Sequence, residues 1–268
     1  MTLAVCATPI GNLDDVTLRV LHELAEADVV LCEDTRHTAR LLDRHGIRAK
    51  RLLSYHRHNE AARAGEVLER LRQGERIALV SDAGLPGIND PGVRLVAAAR
   101  EAGAEVTVLP GESAVTTALV ASGFQAERYQ FLGFLPRGGG ALAALWGELA
   151  KWPHAAVAFE SPRRLPASLA SLAAAAPDRP VAVCRELTKR FEDVVRGPAA
   201  EVAHRFAEPP KGEIVVVLGP AEAPPSNDAD AVEAVRSLVA EGLPRRRAAE
   251  LVAQLSAGSV RELYRRSL

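Results

Sequence analysis

Short apolar runs alternate with longer segments of helical period through the first 109 residues of the chain. The runs rich in β-branched residues are predicted strands, at residues 3–7, 29–33, 77–80 and 106–109. The segments with apolar residues every three or four positions are predicted helices, at residues 16–27, 38–45, 60–73 and 93–102. This alternation predicts βαβ units and a largely parallel sheet.

The pattern changes after residue 111, where some strands follow one another without a helix between them. The predicted strands of this half are residues 129–134, 155–159, 181–184, 193–196 and 214–218. Its predicted helices are residues 113–122, 141–151 and 163–175. Consecutive strands beside crossovers predict a mixed sheet. The expected fold class is therefore α/β with two domains, a parallel-type sheet in residues 1–111 and a mixed sheet in residues 112–222.

The last segment, residues 223–268, is predicted to be a linker followed by a small helical tail. Three prolines, Ser226 and Asn227 between residues 219 and 230 are typical of a linker. Residues 232–241 and 245–255 have an amphipathic helical period. From Pro244 onward six arginines accompany two glutamates, which indicates either a solvated basic face or a nucleic-acid contact.

Composition and charge limit the classes of protein to which this chain can belong. The chain has 268 residues, 48% of them hydrophobic and 25% charged, which is ordinary globular composition. No apolar run reaches the roughly 18 to 20 residues that span a bilayer, and the N-terminus lacks the basic region of a signal peptide. We expect a soluble cytoplasmic protein with no membrane partner. Since the net charge is −1, contact with nucleic acid requires local basic patches.

A glycine-rich loop at residues 81–92 follows one predicted strand and precedes a helix. Such a loop lies at the carboxyl end of a strand, where open α/β sheets bind ligands. It matches neither G-x-G-x-x-G nor a P-loop, so it gives no support to NAD or ATP binding. The alternative is structural: Asp82 and Asp90 cap turns, and the glycines supply positive φ.

Two further loops favour the ligand-binding interpretation. Residues 109–114 also connect a strand to a helix, with Ser113 as the predicted N-cap, and residues 7–13 end the first strand. The three loops together predict one shared crevice.

Four polar segments follow apolar runs, at residues 33–38, 54–60, 160–164 and 185–190. Each alone is typical of a solvated turn or a helix cap, but four of them indicate a polar cleft wall. His56 and His58 have strand spacing without a third ligand nearby. The three cysteines, Cys6, Cys32 and Cys184, stand singly in apolar stretches, so we expect no metal site.

Nine segments together resemble the ribosomal RNA small subunit methyltransferase I family, within the tetrapyrrole methylases. They are residues 8–13, 33–38, 54–56, 59–60, 82–92, 133–137, 160–165, 185–189 and 211–213. The resemblance implies a two-domain fold with S-adenosylmethionine in the cleft, a homodimer, and methylation of a cytidine 2′-hydroxyl in 16S rRNA of the 30S subunit. Two positions depart from the family pattern: Leu85 stands where threonine is usual, and Glu112 stands where proline is usual.

The resemblance also implies roles for individual residues. The expected donor-binding residues are Pro9, Asp82, Ala83, Gly84, Ser113, Ala114, Gly133 and Phe134. The candidates for removing the hydroxyl proton are Glu33, Asp34, His37, Glu186 and Lys189. Lys189 is either a base, if its pKa is depressed, or a cation that binds phosphate.

The expected RNA-binding residues are arginines for phosphates and two rings for stacking on an unpaired base: Arg36, Arg137, Arg163, Arg164, Tyr55 and His56. Each arginine has the alternative of being an ordinary surface charge. Two other functions stay open, a methyltransferase of the same fold acting on a tetrapyrrole or a protein, and a non-catalytic RNA-binding protein.

Overall fold

The structure is a computed structural model that describes residues 2–221, 228–256 and 259–268. The chain forms two compact units, Met1–Pro220 and Ala221–Leu268. The predicted boundary at residue 111 lies inside the first unit, between the strands of its two sheets, and the division of that unit into two domains there stays a prediction. Most of the predicted linker lies outside the described residues.

The first sheet has five parallel strands in the order β3-β2-β4-β1-β5, as the alternating pattern predicted. Its elements in chain order are β1 Thr2–Cys6, α1 Leu18–Glu26, β2 Val29–Cys32, α2 Thr35–Arg44, β3 Leu52–Ser54, α3 Glu60–Arg72, β4 Arg76–Val80, α4 Val93–Glu101 and β5 Glu105–Leu109. Strand β3 was not predicted, because three half-buried residues are too few to show a period.

Alternate residues of the central strands pack on opposite faces of this sheet. Leu3 and Val5 join one buried cluster, whereas Ala4 and Cys6 join another. Because both faces are covered, these strands are continuous apolar runs in the sequence.

The second sheet has the order β6-β7-β10-β8-β9. Its elements are α5 Ala114–Ser122, β6 Tyr129–Phe134, α6 Gly139–Ala150, β7 Ala155–Glu160, α7 Leu165–Ala175, β8 Pro180–Arg185, β9 Asp193–Pro198, α8 Ala199–Arg205 and β10 Ile214–Leu218. Strands β6 and β7 are parallel and the other pairs are antiparallel, so the prediction of a mixed sheet is confirmed. Helix α8 was not predicted.

The second unit is a small group of three helices, α9 Asp228–Ala240, α10 Arg245–Leu255 and α11 Val260–Arg266. Its core includes Val235, Ala248 and Leu263, all nearly inaccessible to solvent. The third helix was not predicted; Ser259 caps it by accepting the backbone N–H of Glu262. Across the described part of the chain, no helix is long and apolar enough to cross a membrane.

Candidate functional site

The loops after β1, β4 and β5 meet at the carboxyl edge of the first sheet. Thr8 and Gly84 form an antiparallel bridge, in which Thr8 N donates to Gly84 O at 2.9 Å and Gly84 N donates to Thr8 O at 2.8 Å. The Thr8 hydroxyl also donates to the carbonyl of Ser81 at 3.0 Å. These bonds join the first two loops, and the third borders the same cavity.

That cavity has a volume of about 610 Å³, within the range of small-molecule sites. The first-sheet loops contribute Ile10 and residues 82–85, 88–90 and 110–115 to its wall. The second sheet contributes Phe134, Cys184, Leu187 and residues 159–162 and 212–215. The prediction that the three loops share one crevice is therefore confirmed.

Six of the eight expected donor-binding residues line this cavity, namely Asp82, Ala83, Gly84, Ser113, Ala114 and Phe134. Pro9 does not line it. The Thr8–Gly84 bridge fixes the backbone just before Pro9, and the buried Pro9 side chain lies at a small neighbouring cavity with His37 and Thr38 of α2. Gly133 does not line the large cavity either. Its φ is +67°, and a Cβ at this position would lie 3.2 Å from Oδ1 of Asn89.

The cavity wall contains polar atoms without partners. Within the described residues, Oε2 of Glu112 and Nδ2 of Asn89 are buried and make no hydrogen bond. Buried polar atoms in native proteins are nearly always paired, with protein, water or ligand. One unmet acceptor and one unmet donor on a single cavity wall fit a ligand that carries both kinds of group. Leu85, the other departure from the family pattern, also lines the cavity.

Three carboxylates give this end of the sheet a negative potential. Burial raises the pKa of Asp90 to about 6, and the charges of Glu33 and Asp82 raise it further against the opposing charge of Arg57. Burial, followed by the charge of Asp82, also raises the pKa of Glu33. A positively charged ligand in the cavity would offset this repulsion. Asp90 belongs to the glycine-rich loop, but sequence reasoning did not select it, since neither its burial nor its neighbours show in the sequence.

Asp34 is a structural residue, which corrects its predicted role as a base. Its side chain accepts the backbone N–H of Arg36 and so begins α2 at Thr35, three residues before the predicted start. It also binds the Arg36 guanidinium, with Nη2 to Oδ2 at 2.7 Å. These hydrogen bonds from Arg36 hold the pKa of Asp34 well below its usual range, and a carboxylate so stabilised is a weak base. His37 lines the small cavity beside Asp82.

Lys189 is held between two carboxylates. Its Nζ donates to Oε1 of Glu186 at 2.9 Å and to Oε2 of Glu213 at 2.6 Å. Burial lowers the pKa of Lys189, but the hydrogen bonds that it donates to Glu213 and Glu186 outweigh this effect, so the net shift is upward. The hypothesis that Lys189 acts as a base with a depressed pKa is therefore wrong, and the structure favours its alternative role as a cation.

The loop that carries Lys189 is tied to the loop after β1. The backbone N–H of Asn12 donates to Oγ1 of Thr188 at 3.1 Å. Gly11 permits this approach, because a Cβ there would lie 2.6 Å from Cγ of Lys189 and 2.8 Å from the carbonyl of Leu187. Glu186 and Thr188 have φ of 53° and 65°, rare values for residues with side chains. Loops from both sheets thus hold Lys189 beside the cavity.

Two expected RNA-binding residues have structural positions instead. Tyr55 is 1% exposed and packs in the core of the first sheet, so it cannot stack on a base. Arg164 donates to the buried Glu160, with Nε to Oε1 at 2.8 Å, and to the carbonyl of Leu135 at 2.6 Å. Burying the Glu160 carboxylate requires this partner, which corrects the phosphate-binding role predicted for Arg164.

The remaining RNA-binding candidates lie at least partly on the surface. Arg137 and Arg163 are exposed, and Arg36 is 84% exposed although it is paired with Asp34. His56 is half-buried, and its ring lies 5.9 Å from that of His58. Among the described residues, no group of three or more His, Cys, Asp or Glu could hold a metal ion.

The chain is similar to known methyltransferases over most of its length. A family described as Tetrapyrrole (Corrin/Porphyrin) Methylases matches residues 2–203. The ribosomal RNA small subunit methyltransferase I of Mesorhizobium japonicum is 45% identical, over 99% of this chain and 91% of that protein. The protein of the same name from Synechocystis sp. is 40% identical, over 99% of this chain and 97% of its own length.

Solved structures agree in fold alone. The methyltransferase CobJ superposes with a TM-score of 0.63 at 23% identity, over 83% of this chain and 94% of that chain. Diphthine synthase gives a TM-score of 0.64 at 16% identity, over 82% of this chain and 90% of that chain. The chain therefore belongs to the tetrapyrrole methylase family, whose methyltransferases use S-adenosylmethionine as methyl donor, and within it to the ribosomal RNA small subunit methyltransferase I family.

Proposed function

We propose that this protein transfers a methyl group from S-adenosylmethionine to the ribose 2′-hydroxyl of a cytidine in 16S rRNA of the small ribosomal subunit. The observation that carries the proposal is the cavity of about 610 Å³ at the carboxyl edge of the first sheet, with unpaired polar atoms and an acidic neighbourhood. The choice of RNA as acceptor rests on the relatives, which are ribosomal RNA small subunit methyltransferases.

The cavity wall suits this donor in shape and charge. When bound, S-adenosylmethionine supplies a methyl carbon already activated by a positively charged sulfur. The loop at residues 82–85 and residues 113–114 offer backbone groups and small side chains for close contact, and Phe134 adds an apolar ring. Glu112 offers an acceptor and Asn89 a donor, and neither atom has a hydrogen-bond partner among the residues that the structure describes. Asp82, Glu33 and Asp90 favour a cationic ligand over a neutral one.

On the acceptor side, this chain would position the ribose hydroxyl and remove its proton. Positioning supplies much of the rate in a direct displacement at an activated carbon. Lys189 supplies a fixed positive charge, and Arg137 and Arg163 supply exposed ones for phosphates. For the base, Asp90 joins Glu33 as a candidate, because it lines the cavity and its pKa is about 6.

The test is labelled methyl transfer. Purified protein is incubated with labelled S-adenosylmethionine and 30S subunits from a strain that lacks the modification, and the labelled nucleotide is mapped. We expect the label on a ribose 2′-oxygen of small-subunit RNA. Donor binding without transfer would favour a tetrapyrrole or protein acceptor, and failure to bind the donor would favour a non-catalytic RNA-binding protein.

A matched pair of glycine variants tests the donor site. Gly84 and Gly103 have the same φ of +76°, but only Gly84 lines the cavity, and nothing lies within 4 Å of a Cβ at Gly103. Gly84→Val and Gly103→Val therefore carry the same backbone strain. We expect only Gly84→Val to abolish binding of S-adenosylmethionine, measured by calorimetry.

The homodimer and the cytoplasmic location stay predictions that rest on family resemblance and composition. Light scattering on the purified chain would measure the mass of the assembly directly.

A further inference from the structure

Phe191 is an exposed aromatic residue on the turn that carries Lys189. Phe191 is 65% exposed and contributes to none of the hydrophobic clusters of the first unit. An exposed ring of this size loses hydrophobic stabilisation unless a partner covers it.

The backbone around Phe191 is held in place by hydrogen bonds. The N–H of Thr188 donates to Oε2 of Glu192 at 2.6 Å, and the N–H of Glu192 donates to the carbonyl of Lys189 at 3.1 Å. The positive φ values at Glu186 and Thr188 persist only because such contacts determine them. Phe191 therefore lies on a preorganised turn, so binding there costs little ordering entropy.

One cation lies against the ring, and a second lies on the same turn. Cζ of Arg190 lies 5.5 Å from the centroid of the Phe191 ring, and Arg190 is exposed. Lys189, two residues before Phe191, is hydrogen-bonded to Glu213, which lines the cavity. An exposed aromatic ring beside the Arg190 guanidinium, on the same turn as Lys189, matches the chemistry of a nucleotide, which has a planar base and an anionic phosphate.

We propose that Lys189, Arg190 and Phe191 form a platform for one unpaired nucleotide of the RNA substrate, with the base stacked on Phe191 and the phosphate bound by the two cations. This inference rests on the proposed function, and it assigns to Phe191 the stacking role that buried Tyr55 cannot perform. A protein partner or a second copy of this chain would need acidic groups at this position to match the basic side chains, whereas every nucleotide carries a phosphate.

The test compares Phe191→Ala with Phe191→Tyr and with a control, Tyr129→Ala. Tyr129 is also an exposed aromatic residue, at 43%, but it lies at the opposite end of β6 from Phe134, which lines the cavity. The measurements are the Kd for a fluorescent single-stranded oligoribonucleotide, the KM for 30S subunits, and the Kd for S-adenosylmethionine.

We expect Phe191→Ala to raise the Kd for the oligoribonucleotide and the KM for 30S subunits by about 5- to 150-fold, since stacking on one aromatic ring is typically worth that much. Phe191→Tyr should restore RNA binding, and the donor Kd should be unchanged in all three variants. Unchanged RNA affinity in Phe191→Ala would overturn the platform, and so would a changed oligomeric state, which would mean that a second copy covers the ring. Methylation of RNA by the unaltered protein tests the proposed function separately, so the two failures are distinguishable.

Discussion

The charged residues near the cavity fall into two groups, those held in ion pairs and those that line the cavity. Lys189 and Asp34 belong to the first group, and each has a pKa shifted towards its charged form. Asp90 belongs to the second, and burial shifts its pKa towards the neutral form. The first group is suited to structure and charge, whereas the second is suited to exchanging a proton with a ligand.

The charge of Lys189 can be separated from proton transfer by substitution. Arginine keeps a positive charge but cannot lose a proton in a protein. We expect Lys189→Arg to retain RNA binding and measurable methyl transfer, and Lys189→Gln to weaken RNA binding by about tenfold or more, as the loss of charged hydrogen bonds does. Steady-state kinetics with 30S subunits would measure both. Normal RNA binding by Lys189→Arg with no turnover would contradict the assignment.

Asp90 makes stability depend on pH. Its folded-state pKa of about 6 lies above the ordinary value of 3.8, so the folded protein holds this proton more tightly than the unfolded chain does. The free energy of unfolding therefore falls as pH rises from about 4 to about 6 and stays lower above that range. Burial contributes most of the effect, and Glu33, Asp82, Arg57 and Ser81 modify its size.

Asp90→Asn removes this titration. We expect the variant to be more stable than the unaltered protein by about 1 kcal/mol at neutral pH, allowing for partial exposure of the carboxyl group, and to lose that advantage below about pH 4. Urea unfolding at both pH values would measure it. An equal difference at the two pH values would show that Asp90 is not the group responsible.

At the scale of elements, close backbone contacts hold the second-sheet loops against one another. Gly212 has a φ of +100°, and a Cβ there would lie 2.5 Å from Cγ and Cδ of Glu186. Because Glu186 also accepts a hydrogen bond from Lys189, displacement of its side chain would remove one of the two carboxylates that hold the lysine. The geometry of the Lys189 loop thus depends on a glycine 23 residues further along the chain.

Gly212→Ala and Gly74→Ala test this dependence. Gly74 has a φ of +89° with nothing within 4 Å of a Cβ, so Gly74→Ala carries backbone strain alone. We expect Gly74→Ala to cost about 1 kcal/mol of stability and Gly212→Ala about 2 kcal/mol more, the cost of forcing a side chain into an occupied space. Only Gly212→Ala should weaken RNA binding. Equal effects of the two variants in thermal unfolding and RNA titration would show that the Gly212–Glu186 contact does not hold the Lys189 loop in place.

At the scale of the whole molecule, the chain combines a near-neutral net charge with a locally basic end. The net charge is −1, yet residues 244–268 contain six arginines and two glutamates. Some of these arginines are structural: Arg245 donates to the carbonyl of Ser267. Arg246 and Arg247 are 84% and 60% exposed and share Glu250 as partner, which leaves excess positive charge on the face of α10.

We expect the double change Arg246→Ala and Arg247→Ala to weaken RNA binding and to reduce its salt dependence. Each lost phosphate contact lowers the slope of log Kd against log salt by about 0.7 for single-stranded nucleic acid. Arg72→Ala on α3, a 56% exposed arginine paired with Glu69, is the control. An unchanged slope for the double variant would leave the tail as structure only.

The sequence alone determined most of the elements and the shared crevice. Apolar period reports local burial, and glycine-rich turns after strands mark the carboxyl edge of a sheet, where Asp82, Gly84 and Ser113 were expected and lie. Elements too short to show a period, such as β3 and α11, were missed.

Only the tertiary structure decided what each side chain does, because its neighbours come from distant parts of the chain. Tyr55 comes directly after β3 and was expected at the surface, but it is buried in the core of the first sheet. The pKa of Lys189 is lowered by burial and raised by hydrogen bonds to Glu186 and to Glu213, which lies 24 residues away. Pro9 is turned from the cavity by the pairing of Thr8 with Gly84. Periodicity carries information about burial along one element, whereas pKa and exposure depend on packing between elements.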